Sequence, residues 1–246
     1  MQTIFNHRSI RKYQDKAIPA DVLRRIIEAA NRASNTGNMQ LVSIVATTNS
    51  DIKQALAPAH FNQKMITEAP VVLTICADVN RMNRWCDLRN AKHGFMNMQT
   101  LYTATLDATI AAQNAALEAE HLGLGICYLG TTTYNARQIV EVLNLPKGVI
   151  PVTTITIGYP ADMPSLTERL PIEAILHMER YEDYTDEKID ALYAERESLE
   201  SNINFCKENN KENLAQVFAE VRYTKEGNEH FSDELMDVLK LQGFLK

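Results

Sequence analysis

Residues 101–130 read LYTATLDATIAAQNAALEAEHLGLGICYLG. Positions 101–122 are rich in alanine and apolar around much of the helical circumference, which Asp107, Gln113, Asn114 and Glu118 interrupt. A helix that is apolar nearly all round is a buried one. Gly123 stops it, as a left-handed cap requires, and 126–129 (ICYL) then reads as a strand. A buried helix that runs into a core strand needs a sheet to receive it.

The rest of that sheet lies on either side. Residues 41–48 (LVSIVATT) are rich in β-branched side chains, a strand signature. Residues 70–77 (PVVLTICA) are nearly all apolar. A continuous apolar strand is covered on both faces, so helices are expected over the sheet. Residues 152–157 form a further strand, ended by Gly158-Tyr159-Pro160. Before the sheet, Val22, Leu23, Ile26, Ile27 and Ala30 recur at helical spacing after Pro19. A proline suits a helix start because its missing N–H is not needed there. That helix is expected to end near Ser34, and 135–143 makes a shorter amphipathic one.

The composition shifts after Pro171, and from Asp186 the chain is charged, with Ile189, Leu192, Leu199 and Ile203 at helical spacing. This predicts an exposed helical arm and then a helix near 232–241. The element order gives one α/β or α+β domain, with a core of about 1–171 and a C-terminal extension of about 172–246.

Bulk properties narrow the function. The formal charge is −6 over 246 residues, with 45% apolar and 23% charged side chains. An acidic chain is repelled by a duplex, so nucleic acid is not an expected partner. No apolar run approaches the length of a membrane span. The N-terminus lacks an apolar stretch after its charges, so a secretory leader is not expected and the cytoplasm is. The four cysteines, Cys76, Cys86, Cys127 and Cys206, form no CxxC pair, and they read as reduced thiols. No two histidines stand at i, i+4, so no metal site is expected. There is no G-x-S-x-G elbow for a serine hydrolase.

Four clusters carry possible chemistry. The first is His7-Arg8-Ser9-Ile10-Arg11-Lys12. Two guanidinium groups with a hydroxyl between them suit a phosphate and a ring carbonyl. The same run also reads as a solvated basic start. The second is Ser34-Asn35-Thr36-Gly37-Asn38-Met39-Gln40, a polar loop after a helix. Its backbone N–H groups are open to a ligand or merely connect two elements. The third, 123–130, has glycines for close approach and the aromatic face of Tyr128. It is no dinucleotide fingerprint, because the third glycine of G-x-G-x-x-G would fall on Tyr128. The fourth is Gly158-Tyr159-Pro160 followed by Arg169-Leu170-Pro171, where an arginine closes over an anion or lies on the surface.

Taken in order, these stretches resemble the nitroreductase and flavin reductase family. Within it they are most similar to the major oxygen-insensitive, NADPH-dependent nitroreductases and related flavin reductases. The resemblance rests on residues 7–11 before the Pro19 helix, the 34–40 loop, Gln63 before Ala69-Pro70, and Ala77-Asp78. It continues through Ala112-Gln113-Asn114-Ala115, Leu122-Gly123-Leu124-Gly125 and Tyr128-Leu129-Gly130, then 158–162 through to 169–171. It implies an α+β fold with a mixed sheet and a long central helix at a homodimer interface. It also implies one FMN per subunit in a groove built from both chains.

Carried over residue by residue, His7 belongs to the FMN-binding set. Arg8, Ser9 and Arg169 hold the phosphate and ribityl chain, and Arg11 sits near the N1–C2=O edge. Asn35, Thr36 and Gly37 line the partner's side, and Gln63 bonds the pyrimidine edge. Tyr128, Leu129 and Gly130 lie along the other side. The implied activity is ping-pong electron transfer from NADPH or NADH to a small acceptor, such as a nitroaromatic, a quinone or free flavin. Other reductive chemistry on the same fold, dehalogenation or enoate reduction, and non-enzymatic FMN binding are the alternatives. No protein residue is expected to act as a catalytic acid or base, since the flavin carries the chemistry.

The chain departs from the subgroup at Thr167, where a lysine is usual. No arginine cluster for the 2′-phosphate of NADPH stands out in the extension, where Lys207, Lys211 and Arg222 are the candidates.

Overall fold

Val71–Asp78 is buried at every position, and the rest of the sheet is arranged around it. The structure, a computed structural model, describes residues 2–245. In chain order its helices and strands are α1 (Gln2–Phe5), α2 (Ala20–Asn31), β1 (Val42–Thr47), α3 (Ser50–Leu56), α4 (Met65–Glu68) and β2 (Val71–Asp78). There follow α5 (Asn80–Leu88), α6 (Met98–His121), β3 (Gly125–Leu129), α7 (Ala136–Val142) and β4 (Val149–Gly158). The remainder is helical: α8 (Asp186–Ser198), α9 (Glu200–Glu208), α10 (Leu214–Val217) and α11 (Lys225–Leu241).

The strand order is β1-β2-β4-β3. All three ladders are antiparallel, with Ile44 opposite Ile75, Leu73 opposite Ile155, and Cys127 opposite Thr156. Parallel pairing enters at one isolated bridge, Ser9 to Ile126. The expected mixed character of the sheet therefore rests on the N-terminal segment and not on a crossover between long strands.

Strand periodicity sends neighbouring side chains to opposite faces. Val71, Leu73, Ile75, Ile126, Ile155 and Ile157 pack with α2 and α6. Val72, Cys127 and Leu129 pack on the other face with Leu56, Met65, Ile66 and Ile139. Each fully buried Ile or Leu contributes roughly 1.5–3 kcal/mol. The alanines explain how α6 fits: Ala104, Ala108, Ala111, Ala112, Ala115, Ala116 and Ala119 form its buried side. With no bulk beyond Cβ, the helix axis can lie close to the sheet. Its opposite side is less covered, and Met98, Tyr102, Leu106 and Ile110 are exposed at intervals of four residues.

The chain divides into two compact units. One runs to Ser165 and resumes at Phe231, and the other is Leu166–His230. The second is helical and has a small apolar cluster of its own, Cys206, Leu214 and Val217, with Phe205 against it. Among the described residues no helix is long and apolar enough to cross a membrane.

Candidate functional site

The N-terminal cluster is set by backbone pairing. The Ile10 N–H donates to the Ile126 carbonyl at 2.8 Å, and Tyr13 Oη donates to the Ile10 carbonyl at 2.7 Å. This lays residues 7–11 along β3, the strand that carries Tyr128 and Leu129. Gly125 permits the approach, since a Cβ there would lie 2.5 Å from Ile10 Cγ1.

Within this frame, His7 Nδ1 lies 2.6 Å from Glu120 Oε1 on α6. Ser9 and Arg11 both reach the Cys127 thiol; burial pushes that thiol up, while the Arg11 charge and the two hydrogen bonds oppose the rise. Arg8 lines a cavity of about 300 Å³ with Asn6, Glu120, Gly123 and Met163. Its Nε is buried and has no hydrogen-bond partner among the described residues. A guanidinium nitrogen withdrawn from water and left unpaired is costly, and an anionic oxygen would satisfy it.

The third cluster continues from the same strand. Tyr128 Oη donates to Gln113 Oε1 at 3.3 Å. Burial, helped by the Glu120 carboxylate, pushes the phenol up and keeps it protonated. Leu129 is buried in the second core cluster. A Cβ on Gly130 would meet nothing within 4 Å, so open space adjoins the backbone there.

Gln63 follows a 3₁₀ turn at Pro58–His60, and its N–H donates to the His60 carbonyl at 3.1 Å. His60 is fully buried, and its Nδ1 lies 2.9 Å from Thr131 Oγ1, just past Gly130. Burial pushes its pKa down to about 4, so the ring is neutral at physiological pH. The structure therefore brings residues 7–11, Gln63 and 128–130 onto one connected framework.

The 34–40 loop is held elsewhere. The Thr36 N–H donates to Asp107 Oδ1 at 2.9 Å, and the Leu41 N–H donates to Asp107 Oδ2 at 3.4 Å. Gly37 adopts φ 59°, a left-handed conformation that glycine takes without cost. Asn35 lines a separate cavity of about 270 Å³ with Arg32, Asn38 and Gln40. Arg169 lies in the second unit, where its Nη1 donates to the Thr167 and Glu168 carbonyls.

Sequence reasoning passed over Asp107 and His60. Asp107 reads as a break in an apolar pattern, yet a carboxylate in a buried alanine-rich helix needs donors, and that need was the available signal. His60 reads as one packed histidine among six, and nothing local announces a partner 71 positions away. Among the described residues no group of three or more His, Cys, Asp or Glu could hold a metal ion. The four thiols are free and buried.

Comparison with known proteins identifies the family. The Nitroreductase family model matches residues 4–159. The "FMN reductase [NAD(P)H]" of Bacillus subtilis is 36% identical over 183 residues, 74% of each chain. The "Oxygen-insensitive NADPH nitroreductase" of Salmonella typhimurium is 35% identical over 196 residues, 80% of each chain. A solved structure from Bacteroides fragilis is 52% identical, covers 100% of both chains and superposes with a TM-score of 0.99. The chain belongs to the nitroreductase family.

Proposed function

We propose that this protein is an FMN-dependent oxidoreductase that takes electrons from a reduced nicotinamide and passes them to a small acceptor. The observation that carries the reading is the buried, unpartnered Nε of Arg8 beside a cavity, on a segment fixed against β3. The relatives' names add FMN and NAD(P)H as chemistry of this kind. The residues fit the cofactor: Arg8 and Ser9, with His7 beside them, supply charge and donors for a phosphate. Arg169 joins that set on the resemblance alone. Arg11 would face the ring edge, Gln63 the pyrimidine, and Tyr128-Leu129-Gly130 would flank it. Asn35, Thr36 and Gly37 would face the flavin of a second copy.

Bound FMN supplies hydride acceptance and donation, and so can serve a donor and an acceptor in turn. The protein's part is electrostatic. The Arg11 guanidinium would stabilise the negative charge that a reduced flavin carries at its ring edge. The Tyr128 phenol stays neutral and adds no opposing charge. The ping-pong order, with nitroaromatics, quinones or free flavin as acceptors, is part of this proposal.

The protein is further proposed to be a cytoplasmic homodimer with no nucleic-acid or membrane partner. Support comes from the exposed stripe of Met98, Tyr102, Leu106 and Ile110 along α6. An apolar row on the longest helix is a face for a second copy, and an obligate interface buries roughly 2,000 Å² or more. The whole chain is proposed to act as a single FMN-binding domain, with residues from about 172 as its extension. The test is the absorbance spectrum of the purified chain, followed by NADPH and NADH oxidation with a quinone or nitroaromatic. A colourless protein that takes up no FMN defeats the proposal.

A further inference from the structure

Residues 57–63 make an unusual turn. Phe61 and Asn62 both adopt left-handed backbone, with φ 53° and 54°. Asparagine visits that region readily, whereas a phenylalanine there is strained and persists only where its surroundings hold it. The turn delivers Gln63, and within it the Asn62 N–H donates to the Ala57 carbonyl at 2.8 Å.

The turn is tied to the segment beyond β3, and the Phe61 ring also meets the Phe231 ring edge-on at 6.1 Å. The buried His60 ring meets Thr131 Oγ1 at 2.9 Å. Asn135 Nδ2 donates to the Ala59 carbonyl at 3.0 Å. The Phe61 ring meets the Tyr134 ring edge-on at 6.4 Å between centroids. Three contacts thus tie residues 59–61 to residues 131–135, and two stretches assigned to the flavin, Gln63 and Tyr128-Leu129-Gly130, adjoin the tie. His60 has no second partner to justify its burial, since its Nε2 is unbonded among the described residues.

We propose that His60 is a positioning residue for the flavin site: through the Thr131 hydroxyl it locks the Gln63 turn to the Gly130 turn, so that both meet the ring in fixed register. The inference rests on the FMN reading above. His60 itself need not touch the cofactor. A neutral imidazole suits the role because a charge at that depth would need a counter-ion, and among the described residues the Thr131 hydroxyl is the ring's hydrogen-bond partner while Nε2 has none.

The test uses His60→Gln, Thr131→Val and the double variant, each as the full-length chain. FMN dissociation constants are measured by reconstituting the apoprotein, together with the visible band of bound flavin and the melting temperature without flavin. Thr131→Val keeps the side chain's shape and removes one hydrogen bond, so FMN binding should weaken about three- to tenfold. The flavin band should shift as Gln63 changes its bond to the ring. The double variant should be no weaker than the weaker single variant, because both break the same link.

Unchanged FMN affinity and an unchanged band in Thr131→Val overturn the proposal, whatever happens to the melting temperature. Losses that simply add in the double variant overturn it too. If His60→Gln does not fold, Thr131→Val alone decides. A wild-type chain that takes up no FMN defeats the flavin reading and this inference with it. Tight wild-type binding with unaffected variants defeats the positioning role alone.

Discussion

In the first unit the Nε of Arg8 is buried with no partner, whereas in the second Lys211 Nζ lies 2.6 Å from Glu220 Oε2 and the Arg222 guanidinium lies over the Phe205 ring at 5.5 Å. The cores differ in the same sense. A sheet and an alanine-lined helix fill the first, and three buried residues with one neighbour make the cluster of the second. The first unit therefore holds a cationic nitrogen open for an outside anion on a rigid support. In the second, Lys211 and Arg222 are matched within the unit, and Arg196, whose Nε also lacks a hydrogen bond, lies 3.4 Å from Glu168 Oε1. Substitutions in the first should then have large effects on folding and cofactor binding, and those in the second small effects on the choice of donor.

The sharpest way to break this contrast is Gly125→Ala. The added Cβ would meet Ile10 Cγ1 at 2.5 Å and Ile10 Cβ at 2.6 Å. These atoms sit at the base of a buried side chain and cannot swing away, so the segment at 7–11 must shift. A loss of about 3 kcal/mol is expected from such overpacking, read by urea unfolding, with FMN retention falling alongside. Shortening Ile10 to alanine in the same chain should recover part of the loss. A neutral Gly125→Ala would mean that the cluster is not locked to β3.

Next in size is a pH effect from His60. Its pKa falls from 6.5 to about 4 on burial, so between those values the unfolded chain binds a proton that the folded chain does not. Stability from this group is complete above about pH 6.5 and is lost as pH falls, by about 2 kcal/mol at pH 5 and approaching about 3 kcal/mol below pH 4. Carboxylates also respond in acid, so the informative quantity is the difference between wild type and His60→Gln. Melts at pH 7 and pH 5 should show a shallower acid loss in the variant. Equal slopes would place the wild-type imidazole in contact with water.

Arg8→Ala comes third. Removing one charge-assisted contact to a phosphate costs about 1.5–3 kcal/mol, a ten- to hundred-fold weakening of FMN binding. Because the wild-type Nε has no partner, the apoprotein should not lose stability. Full FMN retention at unchanged affinity would remove Arg8 from the site.

Much of this contrast was legible in the sequence. The apolar runs at 41–48, 70–77, 126–129 and 152–157 each became a strand, because continuous burial leaves a continuous apolar trace. The long helix was found as well, though it starts at Met98, where Asn97 caps the Thr100 N–H, three residues before the apolar pattern begins. The last helix likewise starts at Lys225 and not near Ser232, because Thr224 Oγ1 accepts from the Gly227 N–H. Helices α3 and α5 were missed. One has seven residues and the other nine. At the site, clusters 7–11 and 128–130 were recognisable because their chemistry is local. The Asp107 and His60 contacts were not, since each joins positions about 70 residues apart and only the fold brings them together.

The smallest expected effect lies in the second unit and concerns the electron donor. NADPH differs from NADH by a 2′-phosphate, and strong selection needs guanidinium or ammonium groups free to grip it. Lys211 is paired with Glu220, Arg222 lies over Phe205, and Lys207 is exposed beside Glu208. An exposed lysine next to an acid gives a loose, salt-screened contact. The protein should therefore use both donors, with a preference for NADPH well under a hundred-fold in kcat/KM. A hundred-fold ratio would correspond to about 2.7 kcal/mol, more than these side chains supply. Glu220→Gln sharpens the point, since it frees Lys211 without adding charge. An exposed ion pair is worth at most about 1 kcal/mol, so the NADPH preference should rise by no more than about fivefold, and the gain should vanish at high salt. A wild-type preference above a hundred-fold would reveal a phosphate clamp, and the second unit would then hold its cations as open as the first holds Arg8.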